Sequence, residues 1–301
     1  MSAYYLSEQQ VQEFVSDGYL VVEDCFNPER YAHWLEQSLN SAVPGISLEN
    51  PATWTPVFER SFRPGVFSAS SGQHMECKYA VPKVWNILSR LLGENRIEEP
   101  LNWNGDFEIN LDRYPNEEWT EPGPKTRGWH LDWWDLTGYL DNCWPSILVF
   151  AYWNDVGPKE GGTYLCPDSL KYVAKRLRNH PEGLNKYGEL ADGTTWRDDI
   201  PLCNRFVELV GSAGSVAFVN GMMLHAASAN KSGKARVMSR SIARLKEPPN
   251  LNRHNADEFS PYEQSLLHVL GEERVKFERV TPSRTQDSRF KDGKPVGIID
   301  N

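Results

Sequence analysis

Residues 211–245 read GSAGSVAFVNGMMLHAASANKSGKARVMSRSIARL. Three short apolar runs, at 215–220, 222–228 and 236–245, are punctuated by glycine-bearing turns. Runs of this length between such breaks predict strands rather than helices, with Asn220-Gly221 as the turn joining the first two. One histidine, His225, and one arginine eleven positions later, Arg236, stand inside this apolar series.

Working upstream, 147–153 is a continuous apolar run, the pattern of a strand buried on both faces. Residues 107–112 alternate, with Glu108, Asn110 and Asp112 on one face and Phe107, Ile109 and Leu111 on the other. Evenly spaced strands of this kind predict a mainly β protein built on a double-stranded β-helix, the cupin-like jelly roll. The first third has a helical character. Ser7-x-x-Gln10 is a capping box ahead of Val11, Phe14 and Val15, and Gly18 stops the run. Tyr19 to Val22 then looks like a short strand. Asn27-Pro28 opens a second helix, and Pro82 opens a third that ends at Gly93. Asp168 is expected to cap a fourth, carrying Leu170, Val173, Ala174 and Leu177. We expect one domain over 1–301: a helix-rich flank (1–95) packed outside one sheet, a jelly-roll core (100–246) and a C-terminal extension (247–301). Two irregular stretches, 113–128 and 182–204, are long for a compact domain. The first adjoins His130 and is expected to be a lid.

Composition limits the partners. Hydrophobic residues make up 40% and charged residues 24%, and 32 basic against 41 acidic residues give a net charge of −9. No basic run suggests nucleic acid or an anionic membrane, and no apolar segment approaches the roughly 20 residues that span a bilayer. Five scattered cysteines without a Cys-x-x-Cys pair argue against zinc or a disulfide framework. They are expected to be reduced core thiols in a cytoplasmic protein. A small-molecule substrate fits this profile, and a homodimer is compatible with it.

Chemistry concentrates at His130-Leu-Asp132. Residues i and i+2 of an extended segment share a face, so such a pair offers two ligands to one metal. With 41 acidic residues among 301 and seven histidines, about one His-x-Asp/Glu match is expected by chance. The chain has three: His74-Met-Glu76, His130-Leu-Asp132 and His180-Pro-Glu182. His180 sits at a helix-ending turn beside Pro181, and His74 lies in SSGQHMECK, which is expected to be a polar loop. Only His130 adjoins an aromatic strand and precedes the strand series holding His225. His130, Asp132 and a histidine from another strand across the barrel would form the two-histidine, one-carboxylate set of a ferrous site with open positions. Arg236, returned beside the His225 strand by a hairpin, would bind the far carboxylate of a chelating 2-oxo acid through its planar fork. Arg240 and Arg244 share its face by alternation and are read as solvated or paired at the barrel edge. Trp129, Trp133, Trp134, Trp144 and Trp153 crowd this region, as pocket walls or as core filler.

These residues together resemble the phytanoyl-CoA dioxygenase family, over nearly the whole chain. His130-Leu-Asp132 resembles its His-x-Asp, and His225 with Arg236 resembles its distal histidine and oxo-acid arginine. Glu160-Gly-Gly-Thr163 and Cys166-Pro-Asp-Ser169 resemble its Asn-Gly and Pro-Gly-Ser-His stretches. Ala227 stands where the family often has serine, with Ser228 one later, and Leu170 stands in place of a histidine. The resemblance implies a distorted jelly roll that uses iron(II), 2-oxoglutarate and dioxygen to oxidise an unactivated C–H bond. It also implies oxo-acid contacts from Asn110, Tyr152 and Thr163. Retention of Asp132 favours hydroxylation, desaturation, cyclisation or rearrangement over halogenation. A small molecule of specialised metabolism is the expected substrate. The alternatives are an acyl-CoA hydroxylase of the same family, or a cupin-like isomerase that uses metal without oxo acid.

Overall fold

The computed structural model describes residues 6–112, 115–133 and 137–280, with the backbone of two short strands at Phe290–Lys291 and Lys294–Pro295. Trp134, and Arg113 and Tyr114 at the start of the expected lid, lie outside the described residues. The chain begins with α1 (Glu8–Asp17), whose capping box at Ser7 and left-handed Gly18 at φ 74° are the stop signals expected. Strand β1 (Tyr19–Val22) follows, then α2 (Ala32–Ala42), the single turn α3 (Thr55–Phe58), β2 (Val66–Glu76), α4 (Cys77–Ala80) and α5 (Pro82–Leu92). Strands β3 (Asn102–Asn110), β4 (Ile147–Tyr152) and β5 (Thr163–Leu165) lead to α6 (Ser169–Asn179) and α7 (Trp196–Asp199). Strands β6 (Val207–Leu209), β7 (Val216–Asn220), β8 (His225–Ala227) and β9 (Arg236–Ala243) precede the last helix, α8 (Pro261–Leu270).

Two antiparallel sheets result, one in the order β1-β7-β4-β9-β3-β2 and one in the order β6-β5-β8. The chain changes sheet at each of the connections β4–β5, β6–β7, β7–β8 and β8–β9, which is the jelly-roll path. Leu148, Phe150 and Tyr152 of β4 and Met238 of β9 pack against Leu165 and Leu209 of the small sheet, so the sheets enclose an apolar interior. All six β4 residues are buried, as their unbroken apolar run requires. Outside the large sheet, α8 packs on α1, α5 and α6. All five cysteine thiols are free and buried.

Four expectations need correction. First, SSGQHMECK (70–78) is not a loop: residues 70–76 belong to β2 and Cys77-Lys78 open α4; β1 and β2 are the edges of the large sheet, so the helix-rich flank supplies two of its six strands. His74 pairs in register with Asn104 on that edge, whereas His130 bridges to β8 of the other sheet. Residues 70–76 lack apolar alternation because this end of β2 is exposed on both faces. Second, Asn220-Gly221 is a corner between sheets, not a hairpin turn. Neither residue has the left-handed φ that a two-residue hairpin demands. Gly221 is required there because a Cβ would meet the Pro145 carbonyl oxygen at 2.2 Å. Third, β9 pairs with β3 and β4, so Arg236 faces the His225 strand from the opposite sheet instead of lying beside it. Fourth, Asp168 stands at the N-cap of α6 as expected, but its side chain makes no capping hydrogen bond; its carboxylate accepts from the Asn204 and Arg205 amides and ties down the end of the 182–204 stretch.

Candidate metal centre

His225 opens β8, and His130 pairs with it through an isolated antiparallel bridge. The two exchange both backbone hydrogen bonds, His130 N to His225 O at 3.0 Å and His225 N to His130 O at 3.1 Å. Residues so paired direct their side chains to one face, and the imidazole centroids stand 4.3 Å apart. His225 is therefore the immediate neighbour of His130 rather than its partner across the barrel. Asp132, two residues on, brings Oδ1 to 3.8 Å from His130 Nε2 and Oδ2 to 3.5 Å from His225 Nε2. One ligand atom from each of the three lies within 4.8 Å of the others.

The chemistry of these donors fits a ferrous ion. His130 Nδ1 lies 2.7 Å from the Gly128 carbonyl and His225 Nδ1 lies 3.2 Å from the Met223 carbonyl. A carbonyl accepts only, so each Nδ1 carries the proton and each Nε2 offers its lone pair to a common point. Burial, then the neighbouring His225, lowers the His130 pKa to about 4, so the ring is neutral at ordinary pH. Burial works to raise the Asp132 pKa, but His225 and Arg240 outweigh it and hold the carboxyl well below its usual range. Two neutral imidazoles and one carboxylate, with no further ligand in the cluster among the described residues, leave positions open on an octahedral ion.

The triad opens into a cavity of about 740 Å³. Alternation along β9 turns Arg236, Met238 and Arg240 inward, and all three line it with Thr163 of β5 and Ala227 of β8. Arg236 is 4% exposed; its Nε donates to the Gly161 carbonyl at 2.8 Å and its Nη1 to the Glu108 carbonyl at 2.9 Å. Gly161 has φ +82°, and a Cβ there would press on Asn110 Nδ2 at 2.8 Å; at Gly162 it would meet the Leu209 carbonyl oxygen at 2.2 Å. The Gly-Gly pair is thus what lets the β4–β5 connection approach both Arg236 and β6. Asn110 sits opposite Arg236 in register but does not line the cavity; its amide donates to Ser228 O at 2.9 Å and Gly161 O at 3.4 Å. Tyr152 is fully buried behind the cavity. Its hydroxyl has no hydrogen-bond partner, and burial pushes its pKa up against the lowering field of Arg236. Thr163 has only the Met238 sulfur, 3.9 Å away, for its hydroxyl, and pairs in register with Ala227.

Arg240 was expected at a solvated edge and is instead in the site. It donates to Asp132 Oδ2 at 2.5 Å. Its place on the Arg236 face was legible, but its partner was not, since Asp132 is 108 residues away. Arg244 does pair at the edge, with Glu98 at 3.4 Å. Of the tryptophans, Trp129 lines the cavity, whereas Trp153 packs among Phe26, Tyr31 and Phe107, and Trp144 lies under Arg244. Trp133 is fully buried, donates to the Gly221 carbonyl and meets Trp196 edge to face. The cavity wall also takes Arg60 and Phe62 from the α3–β2 connection, and Tyr187, Trp196 and Arg197 from the 182–204 stretch. Among the described residues of the expected lid, only Gly128 reaches the cavity. Thr120 in that stretch is held to the small sheet, where Tyr164 donates to its carbonyl at 2.9 Å.

No curated protein sequence matches the chain. Among solved structures, the non-heme alpha ketoglutarate dependent carbocyclase SnoK from nogalamycin biosynthesis is similar at 17% identity, over 81% of this chain and 86% of that one, with a TM-score of 0.48. HygX from Streptomyces hygroscopicus, solved with nickel, 2-oxoglutarate and hygromycin B, is similar at 13% identity over 80% and 88%, with a TM-score of 0.45. EctD from S. alaskensis is similar at 15% identity over 81% and 79%, with a TM-score of 0.42. The sequence profile described as phytanoyl-CoA dioxygenase (PhyH) matches residues 14–238, from α1 to the middle of β9, and so contains the whole triad and Arg236. The chain belongs to the phytanoyl-CoA dioxygenase family of iron(II)/2-oxoglutarate-dependent oxygenases.

Proposed function

We propose that this enzyme oxidises an unactivated C–H bond of a small organic molecule of specialised metabolism, by hydroxylation or by a related desaturation, cyclisation or rearrangement. The observation that carries the reading is that one cavity is lined by both the His130–Asp132–His225 cluster and a buried arginine, Arg236. Bound iron(II) with 2-oxoglutarate and dioxygen supplies the oxidation, with release of succinate and carbon dioxide. His130, Asp132 and His225 hold the metal. Arg236, fixed by two carbonyls, receives the far carboxylate of the oxo acid. Thr163 supplies the hydroxyl that Ala227 does not, and Tyr152, buried behind the cavity in the field of Arg236, backs that arginine rather than touching the oxo acid. Asn110 acts behind them by holding the Gly161 and Ser228 carbonyls in place. The cavity volume, within the range of small-molecule sites, supports a compact substrate.

Mixing the anaerobic protein with ferrous iron and 2-oxoglutarate should produce a weak visible charge-transfer band. The band should vanish in His225→Ala, and in Arg236→Ala it should require at least tenfold more 2-oxoglutarate. Metal binding without any such band would sink the proposal in favour of an isomerase that uses no oxo acid.

A further inference from the structure

The chain carries more acids than bases, and most of its described arginines have a carboxylate partner. Arg90 pairs with Glu8, Arg178 with Glu272, Arg205 with Asp17 and Arg279 with Asp141. Arg60 and Arg197, both on the cavity wall, have no such partner among the described residues. Arg197, in the first turn of α7, donates from Nε to the Trp129 carbonyl at 3.3 Å and meets no acid among the described residues. The acids beside it in sequence are engaged: Asp198 accepts from Thr195, and Asp199 holds Arg176 at 2.7 Å. Arg60, on a separate segment of the wall, rests over the Phe67 ring at 5.5 Å, also without a carboxylate among the described residues. The acids that do line the cavity are Asp132, matched by Arg240 and by a bound cation, and Glu108, 3.9 Å from Arg240. Once Arg236 is matched by an oxo acid, Arg60 and Arg197 still leave the cavity positive.

A solvated arginine is unremarkable by itself, but the same wall leaves large rings in water. Phe62 is 79% exposed and Tyr187 54% exposed, next to buried Trp196 and Trp129. Guanidinium forks recognise carboxylate and phosphate oxygens, and flat rings cover an apolar body. Positive potential in a cleft of an otherwise acidic molecule also draws anions in.

We propose that the substrate is an oxyanion, a small molecule whose carboxylate or phosphate is bound by Arg60 and Arg197 and whose apolar body lies against Phe62, Tyr187 and Trp196. The assignment rests on the oxygenase reading for the chemistry, though not for the anion site itself. The test loads the protein anaerobically with ferrous iron and 2-oxoglutarate and titrates three probes of one shape: 3-phenylpropanoate, 3-phenylpropanamide and 2-phenylethyl phosphate. Binding is followed by tryptophan fluorescence and by displacement of the charge-transfer band. At least one anion should bind tenfold or more tighter than the amide, and which one does so identifies the group. The preference should fall with added salt and disappear in the Arg60→Ala/Arg197→Ala double variant, whose circular dichroism and metal band remain those of the wild type. No anion preference in the wild type, or an undiminished one in the double variant, overturns the proposal. A missing band with the preference retained would remove the oxygenase reading and leave the anion site standing.

Discussion

Arg240 governs how Asp132 can meet a metal. Its guanidinium holds Oδ2 at 2.5 Å, so the carboxylate is fixed in rotation and one oxygen is already shared when the ion arrives. Groups that orient a metal ligand in this way typically contribute 10–100-fold in metal affinity. Arg240→Ala should therefore weaken ferrous binding by about tenfold, with Arg240→Lys recovering only part of it, because an ammonium lacks the fork. A metal titration of the two variants checks this; unchanged affinity in Arg240→Ala would assign the contact to charge balance alone. At this scale the three residues of the triad could be named from residue types and spacing, and Arg236 could be singled out as a residue of the same cavity. Arg240, Trp196 and Arg197 could not. Each gains its role from a partner more than 60 residues away, or from a cavity wall that no local pattern encodes.

At the scale of elements, the β4–β5 connection ties Arg236 to the fold through the Gly161 carbonyl. Gly161→Ala forces an L-residue into φ +82° and pushes a methyl group at Asn110. The strain should cost about 1–2 kcal/mol of stability and shift the carbonyl, raising the 2-oxoglutarate concentration needed for half-maximal succinate release. Chemical denaturation and turnover measured on the same variant separate the two effects. The elements least legible in the sequence were those with mixed surfaces. VFSASSGQHME forms an eleven-residue strand because β3 offers it a hydrogen-bonding edge, and its register shifts between Ser70 and His74. An edge strand with one end in water needs little apolar content, so periodicity was silent there. Strands β4 and β7 announced themselves because their apolar runs are buried from both sides.

At the scale of the molecule, Glu263 joins the C-terminal segment to the body. Its carboxylate, 2% exposed, meets Arg96 at 2.9 Å and Arg253 at 3.1 Å and accepts from the Ser260 and Asn250 amides. Burial alone would raise its pKa, but Arg253 and the amides more than offset it, and the net shift is downward. A carboxyl lowered in the folded state adds stability above its unfolded pKa, near 4.3, and that stability is lost as pH falls toward the folded value. Stability of the wild type should thus drop more steeply below about pH 4.3 than that of Glu263→Gln. At neutral pH the glutamine variant should be weaker by about 2–4 kcal/mol, since two partly buried arginines lose their counter-ion. Thermal unfolding across pH tests both, and parallel curves for the two proteins would reject the linkage.

The sequence by itself determined the fold class, the start and stop of α1 and α5, the buried strands and the identity of the metal-binding side chains. These follow from local preferences: a capping residue, an apolar period, a histidine and a carboxylate two residues apart. Tertiary structure alone decided that His130 and His225 are bridged neighbours, that Arg236 faces them from the other sheet, and which rings and arginines wall the cavity. Such relations depend on which strand edges pair and which loops pack over the opening. They are set by long-range burial and hydrogen bonding, which leave no periodic trace in the chain.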